Sequence, residues 1–144
     1  MYTNYLENLL VDFLYRGQSF TPPATRHFAL FTAAPGETGG GTEVSGGSYA
    51  RVAVASSMAN WAGTQGAGTT VASSGSGAGT SNNNAITFAT PTANWGQVVA
   101  VATFDAATGG NMLEYIVLAQ PKTINNGDPA PSFAAGALTL NVGN

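Results

Sequence analysis

Between Trp95 and Ala119 the chain reads Trp-Gly-Gln-Val-Val-Ala-Val-Ala-Thr-Phe, then Asp-Ala-Ala-Thr-Gly-Gly-Asn, then Met-Leu-Glu-Tyr-Ile-Val-Leu-Ala. Val98, Val99, Val101 and Phe104 before the polar segment, and Tyr115, Ile116 and Val117 after it, are β-branched and aromatic residues that suit a pleated surface. Asp105 can hydrogen-bond the backbone ahead of it, and Gly109, Gly110 and Asn111 tolerate the positive φ that reverses a chain. The spacing therefore predicts an antiparallel hairpin. Both runs are mostly apolar with little alternation, which predicts a pair placed centrally in a sheet with both faces covered.

Upstream, Leu6, Leu9, Leu10, Phe13 and Leu14 recur at i, i+3, i+4, i+7 and i+8, one stripe of an amphipathic α-helix. Thr3 or Asn4 can cap it, with Glu7 in capping-box position to Asn4, and Gly17 stands where a helix ends. The plainer use of such a helix is a lid over the β core; the sharper one is a surface for a partner subunit, with Tyr2 and Tyr5 as contacts. Thr21-Pro22-Pro23 then extends the chain into a predicted strand, His27 to Ala33. A polar, glycine-laden loop from Pro35 to Glu43 separates it from the next, Tyr49 to Ala55.

Residues 63–84 consist almost entirely of Gly, Ser, Thr, Ala and Asn, with Val71 the one residue able to anchor a core. They read as a long excursion holding at most one short strand. Ala85 to Phe88, Lys122 to Ile124 and Ala137 to Val142 are further short strands, with a tight turn at Asn125-Asn126-Gly127-Asp128. Pro129 and Pro131 mark an edge between the last two. The fold expected is mainly β: an antiparallel β-sandwich, jelly-roll-like, with one N-terminal amphipathic α-helix. All 144 residues fit a single domain, with the helix in residues 1–17 and the excursion in 63–84.

Only 8% of the residues are charged, and four basic against seven acidic side chains give a net charge of −3. Arg16, Arg26, Arg51 and Lys122 are scattered, which argues against nucleic acid as a partner. The composition suits a protein docked on large partners, where few charges must be desolvated. There is no cysteine, and no apolar run approaches the ~20 residues of a membrane span. No signal peptide is recognisable, so synthesis in the cytoplasm is expected.

Candidate chemistry is thin. His27 is the single histidine and lies in a predicted strand, so any triad or histidine metal site would depend on it alone. The carboxylates occur singly; Glu37 with Glu43, or Asp105 with Glu114, would pair only through tertiary folding. Gly75 to Gly79 lacks the lysine and the strand and helix of a phosphate loop. Trp61, Trp95 and Tyr49 could stack on sugars if exposed, and otherwise fill a core. No catalytic residue, metal or cofactor is expected.

Ala29-Leu30-Phe31-Thr32, Gly41-Thr42-Glu43-Val44-Ser45-Gly46-Gly47, Tyr49-Ala50-Arg51, Asn94-Trp95-Gly96 and Phe104 to Asn111 together resemble a family of small virion proteins of tailed bacteriophages, variously labelled tail-fibre, minor structural or capsid decoration proteins. The resemblance covers most of the chain, and residues 63–84 are longer and richer in Ser, Gly and Ala than its pattern. It implies a non-enzymatic particle component. The leading expectation is a capsid cement protein on the shell surface, bound across junctions of the phage major capsid protein and self-associating as a homo-oligomer. A tail-fibre or minor tail component bound to tail proteins is the alternative, and a carbohydrate-binding module a third. Neither a nucleic acid nor a membrane is an expected partner. The contact surface is expected to draw on the helix and the two glycine-rich loops, through Tyr2, Tyr5, Glu37, Glu43, Arg51 and Trp61.

Overall fold

The computed structural model describes residues 1–142. In chain order its elements are α1 (Asn4–Tyr15), β1 (Thr25–Ala33), β2 (Thr42–Glu43), β3 (Val52–Ala55), β4 (Gly79–Ser81), β5 (Ile86–Thr87), β6 (Gly96–Phe104), β7 (Met112–Ile124), β8 (Ser132–Phe133) and β9 (Thr139–Asn141). Every strand pair is antiparallel. The main sheet runs β2-β1-β6-β7, and β3 shares the outer edge of β1 with β2, pairing Thr25 to Phe28 while β2 pairs Phe31 and Ala33. β4 with β9 and β5 with β8 form two short ribbons.

The mainly β, antiparallel architecture with an N-terminal helix is the one the sequence predicts, and its strand order is compatible with a jelly roll. One face of the main sheet presents Phe28, Leu30, Val98 and Val101, which pack with Val44, Ile86, Phe88, Trp95, Ile124 and Leu138 from the ribbons and connecting loops. The opposite face is built of smaller side chains, Ala29, Ala100 and Ala102, beside Phe31, Phe104 and Tyr115. The expected hairpin is present. Asp105 accepts bonds from the Asn111 amide (2.7 Å) and side chain (2.8 Å), which closes the turn.

Only half of the hairpin is central. β6 is covered on both sides, but β7 is the outermost strand of its sheet and is largely exposed from Val117 to Thr123. The expected separate strand at Lys122 to Ile124 is the end of β7. Register passes from Val98↔Lys122 to Ala100↔Val117, so the extra residues bulge outward and carry Pro121 where no ladder bond is required of it. The strand expected from Tyr49 begins only at Val52, because the Tyr49 amide turns back onto the Gly46 carbonyl (2.9 Å).

The excursion holds one short strand, β4, as expected, but Val71 anchors nothing and stands 63% exposed. Side-chain amides hold the segment instead. Asn83 bonds the Gly68 amide and the Thr69 carbonyl (3.0 Å each). Fully buried Asn82 donates to the Asn84 and Ala134 carbonyls (2.8 Å each) and accepts from the Leu138 amide (2.9 Å), joining the end of the excursion to the approach of β9. A buried amide satisfied this fully adds specificity at little desolvation cost.

α1 departs most from expectation. Its base is firmly held, because Met1 and Tyr115 exchange backbone bonds (2.8 and 2.9 Å) and the Thr3 amide bonds the Leu113 carbonyl (3.0 Å), extending the sheet beside β7. Thr3 is the N-cap residue, yet its hydroxyl donates to the Met112 carbonyl (2.6 Å) rather than capping the helix. Gly17 ends the helix with φ +69°. Beyond Leu6 no residue of α1 is fully buried; Leu9 and Leu10 are half-buried and Phe13 meets Phe20 edge-on, so the helix rests only in part on the rest of the chain and does not close over the core as a lid. Amphipathic periodicity shows which side chains share a stripe, not whether the rest of the chain reaches it.

Candidate functional site

Five of the six nominated side chains fall on two surfaces, and the sixth, Arg51, lies beneath one of them. Tyr5, Glu37 and Glu43 line an open cleft of about 590 Å³ between the base of α1, the glycine-rich loop and the turn at Gly110 to Met112, with Phe31 and Phe104 in its floor. The Asn4 amide bonds the Glu37 carbonyl (2.9 Å), fastening the helix to that loop. Gly41 makes the loop possible: at φ +78° a side chain is strained, and a Cβ would meet the Ala33 carbonyl oxygen at 2.6 Å.

Beneath this cleft Arg51 is fully engaged within the protein. Its Nε and Nη2 fork onto the Glu43 carboxylate (2.9 and 2.7 Å), and Nη1 donates to the Ala106 and Gly109 carbonyls (2.9 and 2.8 Å). The guanidinium carbon lies 3.5 Å from the centre of the Phe104 ring. A planar, delocalised cation can stack and chelate at once in a way lysine cannot. Glu43 also accepts from the Tyr49 hydroxyl (3.1 Å), whose oxygen accepts the Leu30 amide (2.9 Å). Burial pushes the Tyr49 phenol well above its usual pKa. This constellation clamps β2, the hairpin turn and β1 together, so Arg51 and Tyr49 hold the surface in shape from behind.

Tyr2 and Trp61 belong to a second surface, an open groove of about 730 Å³ whose walls include Pro22, Met58, Val71, Leu140 and Val142. Trp61 stacks on Phe28 (centroids 5.6 Å apart) and donates to the Ala55 carbonyl (3.2 Å). Tyr2 pairs with Glu114 as a β-bridge, and burial raises its phenol, with the Glu114 charge adding to the effect. Glu114 is buried and paired with Arg26, and it accepts from the Thr103 hydroxyl (3.2 Å). Arg26 and Glu114 were not foreseen as a pair, being 88 positions apart. The one available signal was a lone carboxylate inside an apolar run, between Leu113 and Tyr115.

Buried Glu114 and half-buried Glu43 are each neutralised by an arginine, and Asp105 serves its turn. His27 lies within β1 with Nδ1 buried and unpartnered. Among the described residues no group of three or more His, Asp or Glu side chains is placed to hold a metal ion, and no helix is long and apolar enough to cross a membrane. Trp95 is buried, with Nε1 donating to the Gly47 carbonyl (3.0 Å), and Tyr49 lies edge-on to it, so neither presents a stacking platform. The groove offers mainly apolar area, and the cleft a mixed lining of polar side chains, glycines and aromatic rings.

A family model described as Podophage GP4 fiber I protein gp80 matches residues 1–141. No curated protein matches the chain.

Proposed function

We propose, from the premise that the chain belongs to the family of podophage GP4 fiber I protein gp80 and is a phage virion structural protein, that it is a non-enzymatic component of a fibre. The observation that carries the reading is the family match across residues 1–141, together with exposed apolar surface gathered on α1 and the groove. A fibre component works by binding neighbours in a fixed geometry. The architecture suits such binding, because α1 is mounted on the main sheet through paired backbone at Met1 to Thr3 while its outer turns remain free. With 8% charged residues, little charge must be stripped of water when such a surface is covered.

Docking across junctions of major capsid subunits, the leading expectation from the sequence, would draw on the same exposed surfaces. A density map of the whole particle distinguishes the two. Density for this fold in fibres supports the proposal, and density distributed over the shell overturns it in favour of a cement protein.

A further inference from the structure

The long outer edge of the main sheet is interrupted along most of its length. β7 has 13 residues and stands last in its sheet, an edge of roughly 40 Å at about 3.3 Å per residue. An unpaired edge of that length offers a row of backbone N–H and C=O groups on which a strand of another chain can build. At the start of β7 the row is taken. Met1 and Tyr115 exchange backbone bonds, the Thr3 amide bonds the Leu113 carbonyl (3.0 Å), and the Thr3 hydroxyl donates to the Met112 carbonyl (2.6 Å). Further on the row is bent out of line, because β7 takes five steps from Val117 to Lys122 while β6 takes two from Ala100 to Val98. The surplus of three residues holds Pro121, which has no N–H to offer, and is followed by exposed Lys122, whose ammonium a neighbouring strand would have to strip of water. Between Tyr115 and the bulge only Ile116 and Val117 remain as a regular, uncovered run. The opposite edge of the sheet is shared by β2, of two residues, and β3, of four, with residues 44–51 looping between them.

We propose that the bulge of β7 and the Met1 to Thr3 segment are edge guards: together they keep the main sheet from adding a strand of another chain, so that this protein meets its neighbours through side chains and not through a continuous sheet. The bulge sits where a guard is needed. On its other side β6 is paired with β1 and keeps one-for-one register there, from His27↔Phe104 to Phe31↔Ala100. Lys122 pairs with no carboxylate among the described residues, so its charge at the edge serves no ion pair of the fold. Composition explains why backbone geometry carries the protection. With 8% charged residues the surface holds few charges to turn a neighbouring edge away, and a kinked strand, a proline and a paired N-terminal segment do so without them. An edge closed in this way serves a fibre component and a shell component alike.

Deleting Ala119, Gln120 and Pro121 removes the surplus and brings Lys122 into step with Val98, which gives β7 an even ladder and a straight edge. Val117 reports on that edge, because it turns its backbone groups outward as Tyr115 does two residues earlier. The deletion, combined with Lys122→Val, is expected to keep the wild-type circular dichroism and to associate beyond the wild-type state as concentration rises in analytical ultracentrifugation. Hydrogen exchange at the Val117 amide should then slow at least tenfold between dilute and concentrated samples of the variant, and stay unchanged in wild type. Pro121→Val with Lys122→Val, which keeps the chain length, should associate in the same direction but more weakly, and it carries the test if the deletion loses the fold. Folded variants that stay at the wild-type oligomeric state over the same concentrations, or a wild type whose own Val117 amide becomes protected as it is concentrated, overturn the inference.

Discussion

Replacing Arg51 by alanine would leave the Glu43 carboxylate without its fork, unpin the turn at Ala106 and Gly109, and uncover the Phe104 ring. The Arg51 side chain is 7% exposed and that of Glu43 27%. A loss of about 2–4 kcal/mol in urea unfolding is expected, below the full cost of a wholly buried pair because Glu43 keeps some water. Arg51→Lys should recover only part of it, since an ammonium keeps the charge but not the fork or the stack. Equal stability of lysine variant and wild type would show that charge alone matters here. The neighbouring Tyr49 gives an alkaline signature. Burial above all holds its phenol above the usual value of 10.0; the Leu30 amide bond is the main opposing effect, and the nearby Glu43 carboxylate adds to the rise. The folded protein then keeps a proton that the unfolded chain releases above about pH 10, so this contribution is whole below that pH and is lost as pH rises beyond it. Thermal unfolding followed from about pH 8 to about pH 12 should fall more steeply for wild type than for Tyr49→Phe. Matching slopes would place the phenol in water.

At the scale of elements, α1 should divide into a structural base and a tip that the fold does not need. Leu6→Ala is expected to cost about 2–3 kcal/mol, as for a buried leucine. The double variant Leu14→Ser, Tyr15→Ser should shift stability by less than about 0.5 kcal/mol, since these side chains are 63 and 82% exposed. A cost at the tip matching that at Leu6 would mean that the helix lies on the body in solution. The helix itself was legible from Leu6 to Gly17, and the hairpin from its valines and the Asp105 to Asn111 turn, because both are encoded by neighbours in sequence. What the sequence concealed was long-range. Pro121 reads as a break, yet an outer strand accommodates it in a bulge. The exposure of α1, the place of β7 at the sheet edge and the Arg26–Glu114 pair depend on chain that returns from far away. Of the nominated residues, Tyr5, Glu37 and Glu43 share a cleft, and Tyr2 and Trp61 a groove. Arg51 carries no such signal, since a basic residue in a polar strand face looks the same whether it meets solvent or a carboxylate eight positions earlier.

For the whole molecule, a firm antiparallel body carries apolar features on its outside, and its enclosed carboxylates are bound by its own arginines. That arrangement stores function in surfaces to be covered, and a virion supplies the neighbours that cover them. Quantitative mass spectrometry of particles purified by density gradient, compared with the lysate they came from, tests this most directly. The protein should travel with intact particles at a fixed copy number relative to the capsid subunit, and should persist through repeated banding. Recovery only in the soluble lysate, with none retained on infectious particles, would contradict it.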